Sequence, residues 1–336
     1  MQINRKQLVE ALAIVKPGLA GKEIIAQTTS FAFLGDEVVT YNDEISVRCP
    51  VPGLDLTGAI KAELLYQFLN KVKQDEIHLE ITEKEIIVSA GKSRAGLALE
   101  AEITLPLEEV GKRAHWVELP ETFLRFLKMA SNTCAIDLSR PILTCVNIQP
   151  SGLIQGSDGY RLLRCMSEEM DIEEVLLPRH IAVEVVKFAP THIANGDGWV
   201  HFKNAEEAVL SCRIFEEAYP NTEKFASATG QKITFPKTLV EGIEKASVFS
   251  KQDHYLDEKI QIEIKDRKLT ITADNVSCWY EESLNIKYEG DVIRFLVTPY
   301  LFVEMLGDTQ DCIVGKDRLK FEGDSWVYLA MLRGEG

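Results

Sequence analysis

The chain has 336 residues, 46% of them hydrophobic, and a formal net charge of −15 from 37 basic and 52 acidic side chains. That length carries two or three cores and is too long for one ordinary domain. No run approaches the roughly 18 apolar residues of a membrane-spanning helix, and MQINRKQLVEALAIVKPG turns amphipathic at once, without the apolar core of a signal peptide, so a cytoplasmic protein is expected.

The spacing of apolar residues predicts a first helix over 4–16, where Leu8, Leu12 and Val15 share a face. The turn TYND follows, then a helix over 61–73 in IKAELLYQFL and the strands EIHLEI and EIIVSA. The pattern restarts at Leu119: LPETFLRFLK predicts a helix over 120–130, the turn GSDG comes next, and LPRHIAVEVV predicts a helix over 178–188 before the strands WVHF and AVLSCRIF. It restarts again at Phe235, with a helix over 236–247 in FPKTLVEGIE, the strands QIEI and LTITA, the turn TADN, a helix over 298–306 in VTPYLFVEML and the strand WVYLAML.

This is a threefold internal repeat. Ile3, Leu119 and Phe235 open equivalent helices at intervals of 116, and Asn42, Asp158 and Asp274 mark equivalent turns at the same interval. The reading is α+β, three tandem domains over 1–112, 113–227 and 228–336, each with two helices on antiparallel sheets. The linkers 108–115 and 226–232 are too short and too poor in Gly, Ser and Pro for flexible tethers. A stiff arc is expected.

Motifs that would carry chemistry are missing. GKS at 91–93 ends like a phosphate loop, but Ile86 stands where the loop needs its first glycine and an alternating strand follows where it needs a helix. Seven scattered cysteines without C-x-x-C read as reduced thiols, and six histidines never fall at metal-ligand spacing. No metal and no cofactor are expected, and no nucleophile with its base can be proposed from spacing, so the chain does not read as an enzyme.

The acidic balance argues against a nucleic-acid partner until the charges are located. The six predicted helices hold 12 basic and 7 acidic residues, so the positive charge collects on helices and the remainder is strongly negative. Such segregation lets an acidic protein face a phosphate backbone.

The helix-and-hairpin repeat, the basic helices, and KSRAGLAL, GSDGYRLLRC, LLPRHIAVEVVKF, YPNTEKF, LTITADN and WVYLAML in this order resemble the bacterial sliding clamp, the beta subunit of DNA polymerase III. The likeness spans almost the whole chain. It implies three DNA-clamp domains per chain and a head-to-tail homodimeric ring with helices on the inner face and sheets outside. Such a ring encircles duplex DNA without reading sequence and tethers DNA polymerase, the clamp-loader ATPase and repair proteins as a processivity factor. Geometry agrees: twelve helices at about 9 Å spacing enclose a hole of roughly 25 Å, whereas six would leave roughly 7 Å. The alternative is a non-ring adaptor that uses the same domains to bind partner peptides without encircling DNA.

The resemblance also implies sites. A peptide-binding cleft would comprise Leu143, Ser157, Gly159, Tyr160, Arg161, Leu162, Pro220, Phe225, Leu329 and Met331, with Tyr300 nearby. Tyr160 replaces a residue that is often histidine in the family, and Arg333 and Glu335 stand where apolar residues are usual. DNA contact is expected from Arg5, Lys22, Lys71, Arg125, Lys128 and Arg140, and dimer contact from Leu97 and Leu99 of one chain against Val248 and Phe249 of the other. Ala95 replaces a frequent aromatic at that interface, which weakens it.

Overall fold

Six helices form in the computed structural model, which describes residues 1–113, 115–253 and 257–334. They are α1 (Arg5–Val15), α2 (Ala62–Lys71), α3 (Phe123–Thr133), α4 (Arg179–Phe188), α5 (Leu239–Phe249) and α6 (Pro299–Leu306). Asn4 starts α1 by accepting the amides of Lys6 and Gln7 at 3.0 and 3.2 Å, satisfying two donors that the first turn leaves open. α3 and α5 begin three residues later than the apolar spacing suggests. Pro120 and Pro236 do not enter the helix; their carbonyls accept the amides of Phe123 and Leu239 in a preceding turn.

Each repeat supplies eight strands among the described residues. The first holds β1 (Gln2–Asn4), β2 (Ser30–Gly35), β3 (Glu37–Tyr41), β4 (Ile45–Pro50), β5 (Leu56–Lys61), β6 (Glu76–Ile81), β7 (Glu85–Ala90) and β8 (Ser93–Ala98). The second holds β9 (Val117–Glu118), β10 (Cys145–Ile148), β11 (Leu153–Ser157), β12 (Arg161–Met166), β13 (Val175–Pro178), β14 (His192–Gly196), β15 (Trp199–Lys203) and β16 (Val209–Arg213). The third holds β17 (Gly230–Thr234), β18 (Ile260–Lys265), β19 (Lys268–Asp274), β20 (Trp279–Asn285), β21 (Ile293–Val297), β22 (Asp311–Gly315), β23 (Arg318–Gly323) and β24 (Trp326–Met331).

The chain folds into two compact units that cut across the repeats: Met1–Lys128 with Glu169–Glu217, and Met129–Glu168 with Ala218–Gly336. In the first, one sheet runs β1-β6-β7-β8 and another β5-β2-β3-β4-β16-β15-β14-β9. In the second, one sheet runs β20-β19-β18-β21 and another contains β10-β11-β12-β24-β23-β22-β17. The hairpin pairs β11–β12, β15–β16 and β23–β24 are antiparallel, as their short connections require, and so are the joins β4–β16 and β12–β24 between distant strands. Each large sheet therefore joins strands of two successive repeats, by β4 against β16 in one unit and β12 against β24 in the other.

Helices lie on the sheets by the faces their spacing predicts. Leu8, Ala11, Leu12 and Val15 of α1 are buried, as are Leu239, Gly242, Ile243 and Ala246 of α5. A Cβ on Gly242 would come within 2.4 Å of Ile271 Cδ1, so a larger residue there would make the end of that side chain shift where α5 meets β19. Phe302 anchors the second unit's core, with ring centroids 5.1 Å from Phe235, 5.9 Å from Phe295 and 6.1 Å from Phe321. In the first unit Ala32, Tyr41, Ala59, Leu105 and Trp199 form a buried cluster with Ile103, Leu107 and Val110 packed on it. Among the described residues no helix is long and apolar enough to cross a membrane.

His201 is among the titratable side chains sealed in the first unit. His201 of β15 is buried and shares a 2.8 Å hydrogen bond with Ser211 Oγ across the β15–β16 pair. Burial first, and the charge of Arg113 second, lower its pKa from 6.5 to about 4. Between those values the unfolded chain binds a proton that the folded chain does not, so this group's contribution to stability falls as pH drops through the window. The full effect corresponds to about 3 kcal/mol. In urea unfolding, the stability difference between the parent and His201→Gln should shrink by about that amount from pH 6.5 to pH 4 and stay flat above pH 6.5. Parallel pH profiles would show that His201 is not held neutral.

Candidate peptide-binding cleft

The turn between β11 and β12 is built from its own side chains. Asp158 Oδ1 accepts the amides of Tyr160 and Arg161 at 2.9 and 3.0 Å. Ser157 Oγ accepts the amide of Gly159 at 3.1 Å and donates to the carbonyl of Arg161 at 2.6 Å. Gly159 takes φ +89, a left-handed conformation that costs other residues strain. GSDG is thus a self-capped turn whose glycine is required by the backbone.

From this turn β12 runs against β24, with Leu162 opposite Leu329 and Arg161 opposite Ala330. The amide of Met331 donates to the carbonyl of Tyr160 at 2.8 Å, extending the join into the turn. The connection between the second and third repeats supplies the facing wall. Thr222 Oγ1 donates to Gln155 Oε1 at 2.6 Å and pins that segment to β11.

Between these walls lies a cleft of about 330 Å³. Its floor is apolar and buried: Leu143, Leu162 and Leu329 are 8%, 7% and 5% exposed. Its rim is apolar and open: Tyr160, Phe225 and Met331 are 40%, 48% and 50% exposed. An apolar floor with a half-exposed apolar rim and a few polar groups suits a short peptide with large side chains. Arg318 braces the rim, donating to the carbonyl of Phe225 at 3.2 Å and pairing with Asp317 at 2.7 Å.

Ten of the eleven expected cleft residues line this one depression: Leu143, Ser157, Gly159, Tyr160, Arg161, Leu162, Pro220, Phe225, Leu329 and Met331. Tyr300 instead supports Arg161, whose guanidinium lies 5.1 Å from the Tyr300 ring, and donates to Asp158 Oδ2 at 3.4 Å. Arg161 also pairs with Asp158 at 2.9 Å and with Glu304 of α6. Burial opposes its charge, but the Tyr328 phenol, Glu304 and Asp158 outweigh that and hold its pKa above the ordinary value. Burial raises the pKa of Glu304 although Arg161 pulls the other way.

Tyr219, Asn221, Thr222, Asp317, Arg318 and Ala330 also line the cleft and were not expected there. The three in the connection flank Pro220 and Phe225, so proximity in sequence could have found them, and Ala330 lies between Leu329 and Met331. Asp317 and Arg318 come from the β22–β23 hairpin and carry no local signal. Arg140, expected at DNA, lines the cleft, with Nη1 3.3 Å from where a Gly159 Cβ would sit. Arg333 donates from Nε to Thr298 Oγ1 at 3.1 Å and from its amide to the carbonyl of Leu296 at 2.8 Å; Glu335 lies outside the described residues.

The other expected contacts are dispersed. Lys22, Lys71, Arg125 and Lys128 are exposed in the first unit. Arg5 spends its guanidinium on the carbonyls of Leu69 and Gln74, at 3.2 and 2.8 Å, near the end of α2. Leu97 is half-buried on the edge strand β8, and Leu99 is buried beside Gly58. Val248 is 66% exposed at the end of α5, where Phe249 stacks on Tyr280 of the edge strand β20 at 5.3 Å.

The first unit has the same inter-repeat join, but its counterpart of the cleft is filled. Ile45 opposes Cys212 there as Arg161 opposes Ala330, which sets Tyr41 at the position of Ser157 and Arg213 at that of Met331. Trp199 pairs with Arg213 as Arg318 pairs with Met331. Tyr41 and Trp199 are both 1% exposed with centroids 6.4 Å apart, and Arg213 covers Trp199 at 4.8 Å.

No family model matches the chain. It is 21% identical to the beta sliding clamp of Pseudomonas putida over 91% of this chain and 89% of that relative. Among solved structures it is similar to the sliding clamp of Pseudomonas aeruginosa bound to griselimycin, with TM-score 0.87, 18% identity and 99% of both chains covered. It is also similar to the sliding clamp of Bacillus subtilis, with TM-score 0.87, 17% identity, and 100% of this chain and 99% of that one covered. With four sheets and six helices among the described residues and this agreement over its length, the chain has the fold of the bacterial sliding clamp, the beta subunit of DNA polymerase III.

Proposed function

We propose that this chain is a DNA polymerase processivity factor: a homodimeric ring of three clamp domains per chain, over 1–112, 113–227 and 228–336, that encircles duplex DNA and holds partners through the cleft. The observation that carries the reading is the gathering of Leu143 and nine residues from GSDGYRL, YPNTEKF and WVYLAML around one apolar depression. The ring is a topological tether without catalytic activity or cofactor and works in the cytoplasm. DNA polymerase, a clamp loader and repair proteins would compete for the cleft, each through a short peptide.

DNA contact in this reading is electrostatic. Lys22, Lys71, Arg125 and Lys128 offer exposed cations; Arg5 adds its charge from the start of α1, and Arg140 serves the cleft instead. Dimer closure would use the two edge strands, β8 with Leu97 and β20 beside Val248 and Phe249, because an unpaired edge invites a further strand. Trp279, 75% exposed on β20, adds apolar area there.

Two outcomes test this function. Sedimentation at micromolar concentration should give a species of twice 37.7 kDa, and protein loaded on nicked circular DNA should stay while protein on a linear fragment with free ends runs off. Only a 37.7 kDa species, or equal retention on both DNAs, would favour the adaptor that binds peptides without encircling DNA.

The cleft is tested with griselimycin, which the similar Pseudomonas aeruginosa clamp binds. Met331→Glu and Phe225→Ala change rim residues that are half exposed, so the fold should tolerate them. Losing one buried apolar anchor corresponds to about 1.5–3 kcal/mol, so calorimetry should read a roughly 10- to 100-fold weaker complex while the dimer persists. Unchanged binding in both variants would remove the cleft from the function.

A further inference from the structure

Arg161 lines the cleft yet has little left to offer a ligand. Its Nε donates to Asp158 Oδ2 at 2.9 Å, its Nη2 to the carbonyl of Asn132 at 2.7 Å, and its Nη1 to Glu304 Oε2. The side chain is 10% exposed and its guanidinium rests on Tyr300. Asp158, held on one oxygen by this guanidinium, receives on the other the amides of Tyr160 and Arg161. The position of Arg161 therefore sets the turn, and through the carbonyl of Tyr160 it sets the approach of Met331.

Glu304 stands 143 residues away, on α6, and is not among the side chains that line the cleft. Its carboxylate also lies 3.4 Å from the hydroxyl of buried Tyr328, which donates to the carbonyl of Leu301 at 2.9 Å. A buried guanidinium keeps its place only while its donors are met; Asp158 would still balance the charge without Glu304, but Nη1 would lose its acceptor. The filled junction of the first unit lacks this arrangement. Ile45 occupies the register position of Arg161, and Glu184, sixth in α4 as Glu304 is sixth in α6, pairs with Lys187 of its own helix at 2.7 Å.

We propose that Glu304 is a positioning residue of the cleft, acting through Arg161 to hold the Asp158–Tyr160 turn in the geometry that receives a ligand. This rests on the reading of the cleft as the partner site. Glu304 thus lets the third repeat decide the shape of a wall made by the second. An uncharged oxygen at this position still accepts the Nη1 donor, whereas an aliphatic side chain does not.

Glu304→Leu and Glu304→Gln separate positioning from simple stability. In Glu304→Leu, griselimycin should bind at least about tenfold more weakly, and the Tyr160 and Arg161 amides should exchange hydrogen faster while those of β23 and α5 match the parent. Glu304→Gln should recover most of both. Parent-like affinity and exchange in Glu304→Leu would overturn the proposal. So would faster exchange throughout the unit with no recovery in Glu304→Gln, since Glu304 would then serve the fold alone. If the parent itself failed to bind griselimycin while Glu304→Leu still loosened the turn, the partner-site reading would fall and the anchoring of the turn would stand.

Discussion

The structure depends on one kind of join, in which the strand after a repeat's turn pairs with the last strand of the next repeat. In β12 and β24 the register sets Leu162 opposite Leu329. Side chains alternate across a sheet with a period of two, so a slip of one strand by one residue would turn its leucine to the opposite face and take away part of the cleft's floor. The cleft is a consequence of this join, because two strands from different repeats meet beside the connection between them and the space at the corner is left to side chains.

What fills that corner differs between the two joins and separates a site from a core. Where the second unit has Ser157, Arg318 and Met331, the first has Tyr41, Trp199 and Arg213. The large rings bury themselves and draw Leu105, Leu107 and Val110 over them. Burying each such ring contributes a few kcal/mol of hydrophobic stabilisation. The smaller serine and the flexible methionine leave a groove, with that stabilisation available to a partner's side chain instead.

Much of this was legible in the sequence, because helix periodicity, Asx and glycine turns and the interval of 116 residues are local or periodic signals. Glycine in GSDG announces its turn since its φ has few other occupants. The remainder is set by tertiary pairing. Nothing near Arg161 reveals that its charge is spent on a carboxylate 143 residues away, nor near Arg5 that it closes the end of α2. Arg140 reads as one more surface cation until Gly159 is placed beside it. The late starts of α3 and α5 reflect a choice at Pro120 and Pro236 between first helical residue and preceding turn, which the backbone carbonyls decide.

The central claim is that the open join, and not its filled counterpart, receives partners. Amide hydrogen exchange with and without griselimycin tests it most directly, because every position is read at once. The account predicts protection at Gly159, Tyr160, Phe225 and Met331, with Asp43, Trp199 and Arg213 exchanging as in the free protein. Protection at the filled join, or at neither, would contradict it.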